Sequence, residues 1–75
     1  MKKNFSTILR ELRTEHNVLQ AELAEHCNVS VRTIIRYENE ERIPDINIAI
    51  ALADYFNVSL DYLVGRSDVK TLADK

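Results

Sequence analysis

The sequence predicts an all-α fold, in which five short helices form one compact domain. Apolar residues recur at three- and four-residue spacing along most of the 75 residues, and no segment alternates strictly between apolar and polar residues as a half-buried strand would. One glycine and one proline are too few for the many turns of an all-β fold. Apolar residues make up 45% of the chain, which is enough for a core, and a chain of this length forms a single domain.

Five segments carry the helical periodicity. We expect helices over about residues 4–16, 20–27, 30–39, 45–56 and 60–64. The apolar residues expected to face inward are Phe5, Ile8, Leu9, Leu12, Leu23, Ala24, Cys27, Ile34, Tyr37, Ile46, Ala49, Leu52, Ala53 and Phe56. The domain is expected to occupy residues 1–66, followed by a flexible tail over residues 67–75, where the periodicity is weak.

Polar residues mark the expected helix ends. Serine and aspartate are favoured N-caps, whereas asparagine and glycine accept the positive φ that ends many helices. The expected caps are Ser30, Asp45 and Ser59, and the expected stops are Asn17, Asn28, Asn57 and Gly65. Only Asn28 and Val29 separate the second helix from Ser30, so the second and third helices are predicted to be joined by a tight turn.

Composition and charge narrow the classes of function. A net charge of −2 and a pI near 5.6 argue against strong nonspecific binding to nucleic acid. The negative and positive charges lie in different segments, however, and this separation can leave one positive face. The glutamates Glu11, Glu15, Glu22 and Glu25 fall on the first two predicted helices, whereas the arginines Arg32, Arg36 and Arg42 come later in the chain.

Enzymatic chemistry has little support in the residues. His16 and His26 lack a second ligand at metal-binding spacing, and Cys27 lies on an apolar face as a small hydrophobic residue would. Gly65 is the only glycine, so there is no glycine-rich phosphate loop. We therefore expect a non-enzyme with no cofactor, metal or evident small-molecule site. The single cysteine and the lack of a signal-like or membrane-spanning run predict a cytoplasmic protein.

The stretch SVRTIIRYENEER, residues 30–42, carries the main functional signal. Arg32 and Arg36 are four residues apart and share one helix face, opposite the apolar face of the same helix. Such a pair can be a solvated basic face, or it can bond Glu40 or Glu41. It can also lie on nucleic acid, because arginine bonds guanine O6 and N7 as a fork.

The wider pattern resembles a known family. QAELAEHCNVSVRTIIRYENEERIPD followed by LADYFNVSLDYLVGRSD is similar to the Cro/CI-type, or lambda-repressor-like, helix-turn-helix DNA-binding domain, over about residues 5–66. The positions that carry the resemblance are Gln20, Leu23, Ala24, Val29, Ser30, Ile34, Tyr37, Glu38, Pro44 and the VSLDYL ending. The resemblance implies a transcriptional regulator, usually a repressor, whose third helix enters the major groove of double-stranded DNA. It also implies a homodimer on a palindromic operator.

Specific residues follow from the resemblance and from the helix geometry. The expected base-reading residues are Val31, Arg32, Ile35 and Arg36, although Ile35 could equally be a partly buried packing residue. The expected phosphate contacts are Gln20, Ser30, Thr33, Asn39 and Arg42, and ordinary loop polarity is the alternative for the last three of these. The resemblance further implies a structural ion pair between Arg13 and Glu38. Candidate residues for a dimer interface are Ile48, Ile50, Tyr55, Tyr62 and Val64.

Three positions depart from the family pattern. Leu19 replaces the usual serine or threonine cap of the second helix, and Asn28 replaces a glycine in the turn. Glu40 also replaces a glycine, and with Glu41 it places two carboxylates beside the expected phosphate path. An alternative function is therefore a protein-interaction module of the same fold, such as an antitoxin or a docking partner, with weak DNA binding.

Overall fold

The structure, a computed structural model, describes residues 3–69. Helix α1 spans Phe5–Glu15, α2 spans Gln20–Cys27, α3 spans Val31–Glu38, α4 spans Ile46–Phe56 and α5 spans Leu60–Leu63. No strand occurs among the described residues. The all-α prediction is therefore confirmed, and every predicted helix end lies within one residue of the observed end.

Four helices begin at a polar cap and one does not. In α1, α3, α4 and α5 the side-chain oxygen of the cap accepts the backbone N–H three residues later. These caps are Asn4, Ser30, Asp45 and Ser59. In α2 the cap position is Leu19, which offers no acceptor, but its own backbone N–H donates to Glu22 Oε1 at 2.9 Å. One half of a capping box thus remains.

Every helix is followed closely by a residue with positive φ. These residues are Asn17 (56°), Asn28 (60°), Glu40 (64°), Asn57 (56°) and Gly65 (87°). In each case the next residue donates its N–H to the carbonyl five positions earlier, at 2.8–3.0 Å, which is the longer bond of a Schellman motif. The left-handed conformation predicted for the asparagines is confirmed. Glu40 was not predicted to adopt it, and its side chain makes this conformation strained.

The same three residues connect two pairs of helices. Asn-Val-Ser occurs at residues 28–30, between α2 and α3, and again at residues 57–59, between α4 and α5. In both copies the asparagine is left-handed and the serine caps the next helix. The valine of each copy packs against the core. In each connector, therefore, the asparagine ends one helix, the valine packs against the core and the serine begins the next helix, so that all three residues have a structural role.

The buried side chains form one core between the helices. Its members are Ile8, Leu9, Leu12, Leu23, Ala24, Cys27, Ile34, Tyr37, Leu52, Ala53, Phe56, Val58 and Leu63. The prediction that Ile46 faces inward is wrong, because this side chain is 59% exposed. Periodicity extends the inner face of α4 back to Ile46, but α4 begins at that residue, and its first turn extends past the core.

The two ends of the domain meet at Gly65. A Cβ added there would lie 2.5 Å from the carbonyl oxygen of Lys3, so the backbone after α5 passes directly against the backbone before α1. Beyond Gly65, Ser59 Oγ donates to the carbonyl of Val69 at 3.3 Å. Residues 67–69 of the predicted tail thus return toward the start of α5, and residues 70–75 lie outside the described residues.

Candidate nucleic-acid interface

Helix α3 presents two different faces. Ile34 and Tyr37 are buried, and burial raises the pKa of the Tyr37 phenol although the positive charge of Arg42 opposes the shift. Arg32 is exposed on the other face and Arg36 is half-buried. The base-reading candidates Val31 and Ile35 are among the exposed large apolar side chains of the domain. A row of aliphatic and guanidinium groups therefore faces solvent along α3.

The two arginines of this row have no side-chain partner within residues 3–69. The ion pairs in this part of the chain are Lys3–Glu11 and Arg13–Glu38, so neither Arg32 nor Arg36 bonds Glu40 or Glu41. Each guanidinium group keeps all of its donors available. Such a group can form the bidentate fork that recognises guanine or a phosphate.

The C-terminal end of α3 is bonded to α1 and α2. The carboxylate of Glu38 is 4% exposed and accepts Arg13 Nε at 2.6 Å and Arg13 Nη2 at 3.3 Å. Gln20 Nε2 donates to the same carboxylate at 3.0 Å. Arg13 Nη1 also donates to the carbonyl of Val18, at 3.1 Å. The structure thus brings together two residues predicted as an ion pair and one predicted as a phosphate contact.

Two further side chains hold this end of α3, and sequence reasoning missed both. Ser6 is buried, and its hydroxyl donates to the carbonyl of Tyr37 at 2.5 Å. Arg10 Nη1 donates to the carbonyl of Glu38 at 3.0 Å. Both carbonyls belong to the last turn of α3, whose acceptors lack partners within the helix. Ser6 and Arg10 lie 31 and 28 residues from these partners, and no local pattern indicates contacts over such distances.

The remaining phosphate candidates lie around α3. Ser30 Oγ and Thr33 Oγ1 are 3.0 Å apart at its first turn, where Ser30 also caps the helix. Asn39 and Arg42 are exposed after its last turn. Gln20 is half-buried and uses one amide donor on Glu38, which leaves its second N–H and its carbonyl for another partner.

The dimer candidates divide into two groups. Ile50 and Val64 are exposed large apolar residues. Ile48, Tyr55 and Tyr62 are half-buried and pack against the core, and the ring of Tyr55 lies 4.7 Å from that of His26. The second group therefore contributes to the fold as well as to the surface.

Cys27 is buried, and burial raises the pKa of its thiol, which disfavours the reactive thiolate. Residues 3–69 contain no cluster of three or more histidine, cysteine, aspartate or glutamate side chains placed to bind a metal ion. None of the helices in this range has the length and apolar character needed to span a bilayer.

Comparison with known proteins identifies the family of this chain. Residues 9–63 match the family model described as helix-turn-helix. The chain is 36% identical over 61 residues to the HTH-type transcriptional regulator ImmR of Bacillus subtilis (strain 168), covering 81% of this chain and 48% of ImmR. It is 31% identical over 70 residues to the HTH-type transcriptional activator BcrR of Enterococcus faecalis, covering 93% of this chain and 34% of BcrR. The chain thus spans about half the length, or less, of these curated relatives.

Solved structures show the same fold. A transcriptional regulator from Listeria innocua superposes with a TM-score of 0.82 and 36% identity, over 99% of this chain and 68% of that chain. The P22 c2 repressor, solved in complex with synthetic operator 9T, superposes with a TM-score of 0.81 and 26% identity, over 87% of this chain and 98% of that chain. The chain therefore belongs to the helix-turn-helix family, and its five helices form a DNA-binding domain of the Cro/CI type, in a family of regulators rather than enzymes.

Proposed function

We propose that this chain regulates transcription by binding a specific double-stranded DNA sequence, with α3 in the major groove. The observation that carries this proposal is the contrast along α3. Arg32 and Arg36 are unpaired within residues 3–69, whereas the end of the same helix is bonded to two other helices. A rigidly held helix with free fork donors suits the reading of base edges.

The surrounding polar groups suit the positioning of DNA. Gln20, Ser30 and Thr33 lie near the two ends of α3 and would contact phosphates, which orient the protein without reading sequence. Asn39 and Arg42 would extend these contacts beyond α3. Glu40 and Glu41 oppose them, so nonspecific binding is expected to be weak and specificity to depend strongly on the base contacts.

Repression by a dimer is the finer part of the proposal. The P22 c2 neighbour is a repressor bound to an operator, whereas one curated relative is named an activator. We expect this chain to occlude a promoter as a homodimer, with two copies of α3 about 34 Å apart on a palindromic site. We also propose that the protein acts in the cytoplasm, as the sequence predicts.

Selection of binding sites from a random duplex library, at several salt concentrations, tests the proposal. The expected result is an inverted repeat that contains guanine, with affinity that falls steeply as salt rises. Arg32→Ala, run in parallel, should lose the preference at one position in each half-site. Absence of any enriched sequence at low salt would contradict the proposal and favour a protein-interaction module.

A reporter gene tests the direction of regulation. The selected site is placed across a promoter, and expression is compared between the wild-type chain and Arg32→Ala. A repressor should give lower expression with the wild-type chain than with Arg32→Ala. Higher expression with the wild-type chain would show activation.

A further inference from the structure

The outer face of α3 carries two rows of side chains that run side by side. Val31 and Ile35 are four residues apart and form an aliphatic row, and Arg32 and Arg36 form a guanidinium row. Consecutive residues of a helix differ by about 100° in rotation and about 1.5 Å in rise, so the two rows occupy neighbouring strips of the helix surface. Each arginine that reads a base would therefore have an aliphatic side chain close to the neighbouring base pair.

The aliphatic row is not used by the core. Val31 is 40% exposed and Ile35 is 37% exposed. Among residues 3–69, neither belongs to the buried core or to the partly buried apolar side chains that pack against it, whereas Val29 in the preceding turn does pack there. Contact with another apolar group would remove this surface from water, which is favourable. The row is thus available to a ligand that offers apolar groups beside hydrogen-bond acceptors.

The same face has donors but no free acceptor. Both guanidinium groups only donate, and the aliphatic row neither donates nor accepts. The hydroxyl of Thr33 lies 3.0 Å from that of Ser30, and the carboxylate of Glu38 is bonded to Arg13 and to α2. Within α3, therefore, no free carboxylate or amide can accept the amino group of cytosine or bond adenine at two positions.

Two kinds of base edge match such a face. Guanine offers the O6 and N7 acceptors that suit an arginine fork, and thymine offers the C5-methyl group in the major groove. 5-Methylcytosine carries a methyl group at the same ring position and differs from thymine in its hydrogen-bonding groups. An aliphatic side chain makes no hydrogen bond, so it senses the methyl group and does not distinguish these two pyrimidines.

We propose that Val31 and Ile35 read the 5-methyl groups of pyrimidines that lie next to the guanines read by Arg32 and Arg36. The recognised element is a methyl-bearing pyrimidine beside guanine, and 5-methylcytosine serves as well as thymine at that position. The inference rests on the proposed function and deepens it by naming a second class of base that α3 recognises. Methylation of a cytosine in such a site raises the affinity, so this domain detects the methylation state of its operator.

Four duplexes that differ at one pyrimidine of each half-site test the inference. The selected site is prepared with thymine, deoxyuridine, cytosine or 5-methylcytosine beside the guanine, each opposite its complementary base, and affinity is measured by fluorescence anisotropy. The two methylated duplexes should bind within about twofold of each other. The two unmethylated duplexes should bind about 10-fold more weakly, because a buried methyl group contributes about fourfold and a palindromic site loses two of them.

Variant chains show whether these side chains read the methyl group directly. Val31→Ala or Ile35→Ala, whichever truncates the side chain at the tested pyrimidine, should reduce the methyl preference to less than about threefold, and the double variant should abolish it. Val69→Ala is the matched control, because Val69 is also an exposed aliphatic residue, at 63%, and lies beyond α5. This control should keep the full preference. Circular dichroism verifies that each variant is folded.

The outcomes separate this inference from the proposed function. A selected site that has no thymine beside guanine, or that binds equally with thymine and deoxyuridine, overturns the inference and leaves sequence-specific binding intact. Equal binding of cytosine and 5-methylcytosine also overturns it. A methyl preference that the double variant retains does so too, because DNA shape or another residue then reads the methyl group. Failure to select any site overturns the proposed function and this inference together.

Discussion

Arg32 and Arg36 on the outer face of α3 bond no other side chain in residues 3–69, whereas Tyr37 and Glu38 at its C-terminal end are bonded by four side chains from α1 and α2. Both regions are rich in polar groups, and sequence alone gives them similar functional weight. The difference teaches that one part of a short helix can be committed to stability while another remains free to bind. Substitutions should therefore change different observables in the two regions.

The largest effect is expected at the bonded end, from Glu38→Ala. This substitution leaves Arg13 without its partner and removes the acceptor of Gln20, so the free energy of unfolding should fall by about 3 kcal/mol. Because the side chain of Arg13 is 21% exposed, the effect should be near the lower end for buried pairs. Urea denaturation followed by circular dichroism measures it, with the near-isosteric Glu38→Gln as a milder control. A change below about 1 kcal/mol would show that this pair does not hold α3.

At the free end, Arg32→Ala should change binding and leave unfolding unchanged. Loss of a bidentate contact should cost about 1–3 kcal/mol at the selected site and relax the preference for one guanine. Fluorescence anisotropy with the selected duplex and with a duplex altered at that guanine measures both effects. Arg32→Lys is the control, because it keeps the charge and loses the fork. Equal losses on both duplexes would assign Arg32 to the phosphates.

Gln20 bonds Glu38 and is also a proposed phosphate contact, so Gln20→Ala should lower both the stability of the fold and the affinity for DNA, each by a small amount. Loss of its bond to Glu38 should lower the free energy of unfolding by about 1 kcal/mol. Affinity for selected and unrelated duplexes should fall by similar factors, because phosphates are alike in every sequence. Titrations against both duplexes, with denaturation of the same variant, provide the measurements. A loss confined to the selected duplex would mean that Gln20 reads bases.

The smallest expected effect is a gain, from Glu40→Gly. Glycine removes the strain of the left-handed conformation, and the free energy of unfolding should rise by about 0.5–1 kcal/mol in the monomer. Affinity for unrelated DNA should rise as well, because one carboxylate is lost. Glu40→Ala separates the two causes, since it removes the charge and keeps a Cβ at positive φ. If alanine stabilises the chain as much as glycine, charge repulsion rather than strain explains the gain.

Most of the fold could be predicted because its signals are local. Asn17, Asn28 and Asn57 end helices because asparagine accepts a positive φ. Ser30 and Asp45 start helices because their side-chain oxygens accept the backbone N–H of the residue three positions later. These interactions lie within a few residues, so residue type and spacing reveal them.

The remainder depends on contacts between distant segments. The bonds from Ser6 and Arg10 to the end of α3 require the packed arrangement of α1 and α3, which no short pattern encodes. Exposure of Ile46 likewise depends on where the core ends rather than on the period of α4. Glu40 was identified as a departure from glycine, but its left-handed conformation followed only from the structure.

The repeated Asn-Val-Ser connector also sets the rotational phase of α3. One residue of an α-helix corresponds to about 100° of rotation, and this connector has no residue that could absorb an insertion or a deletion. Lengthening it by one residue would either rotate the arginines of α3 away from the surface proposed to contact DNA or move the core face of α3 out of register. The segment between α3 and α4, which lacks this constraint, is where length variation among related chains should accumulate.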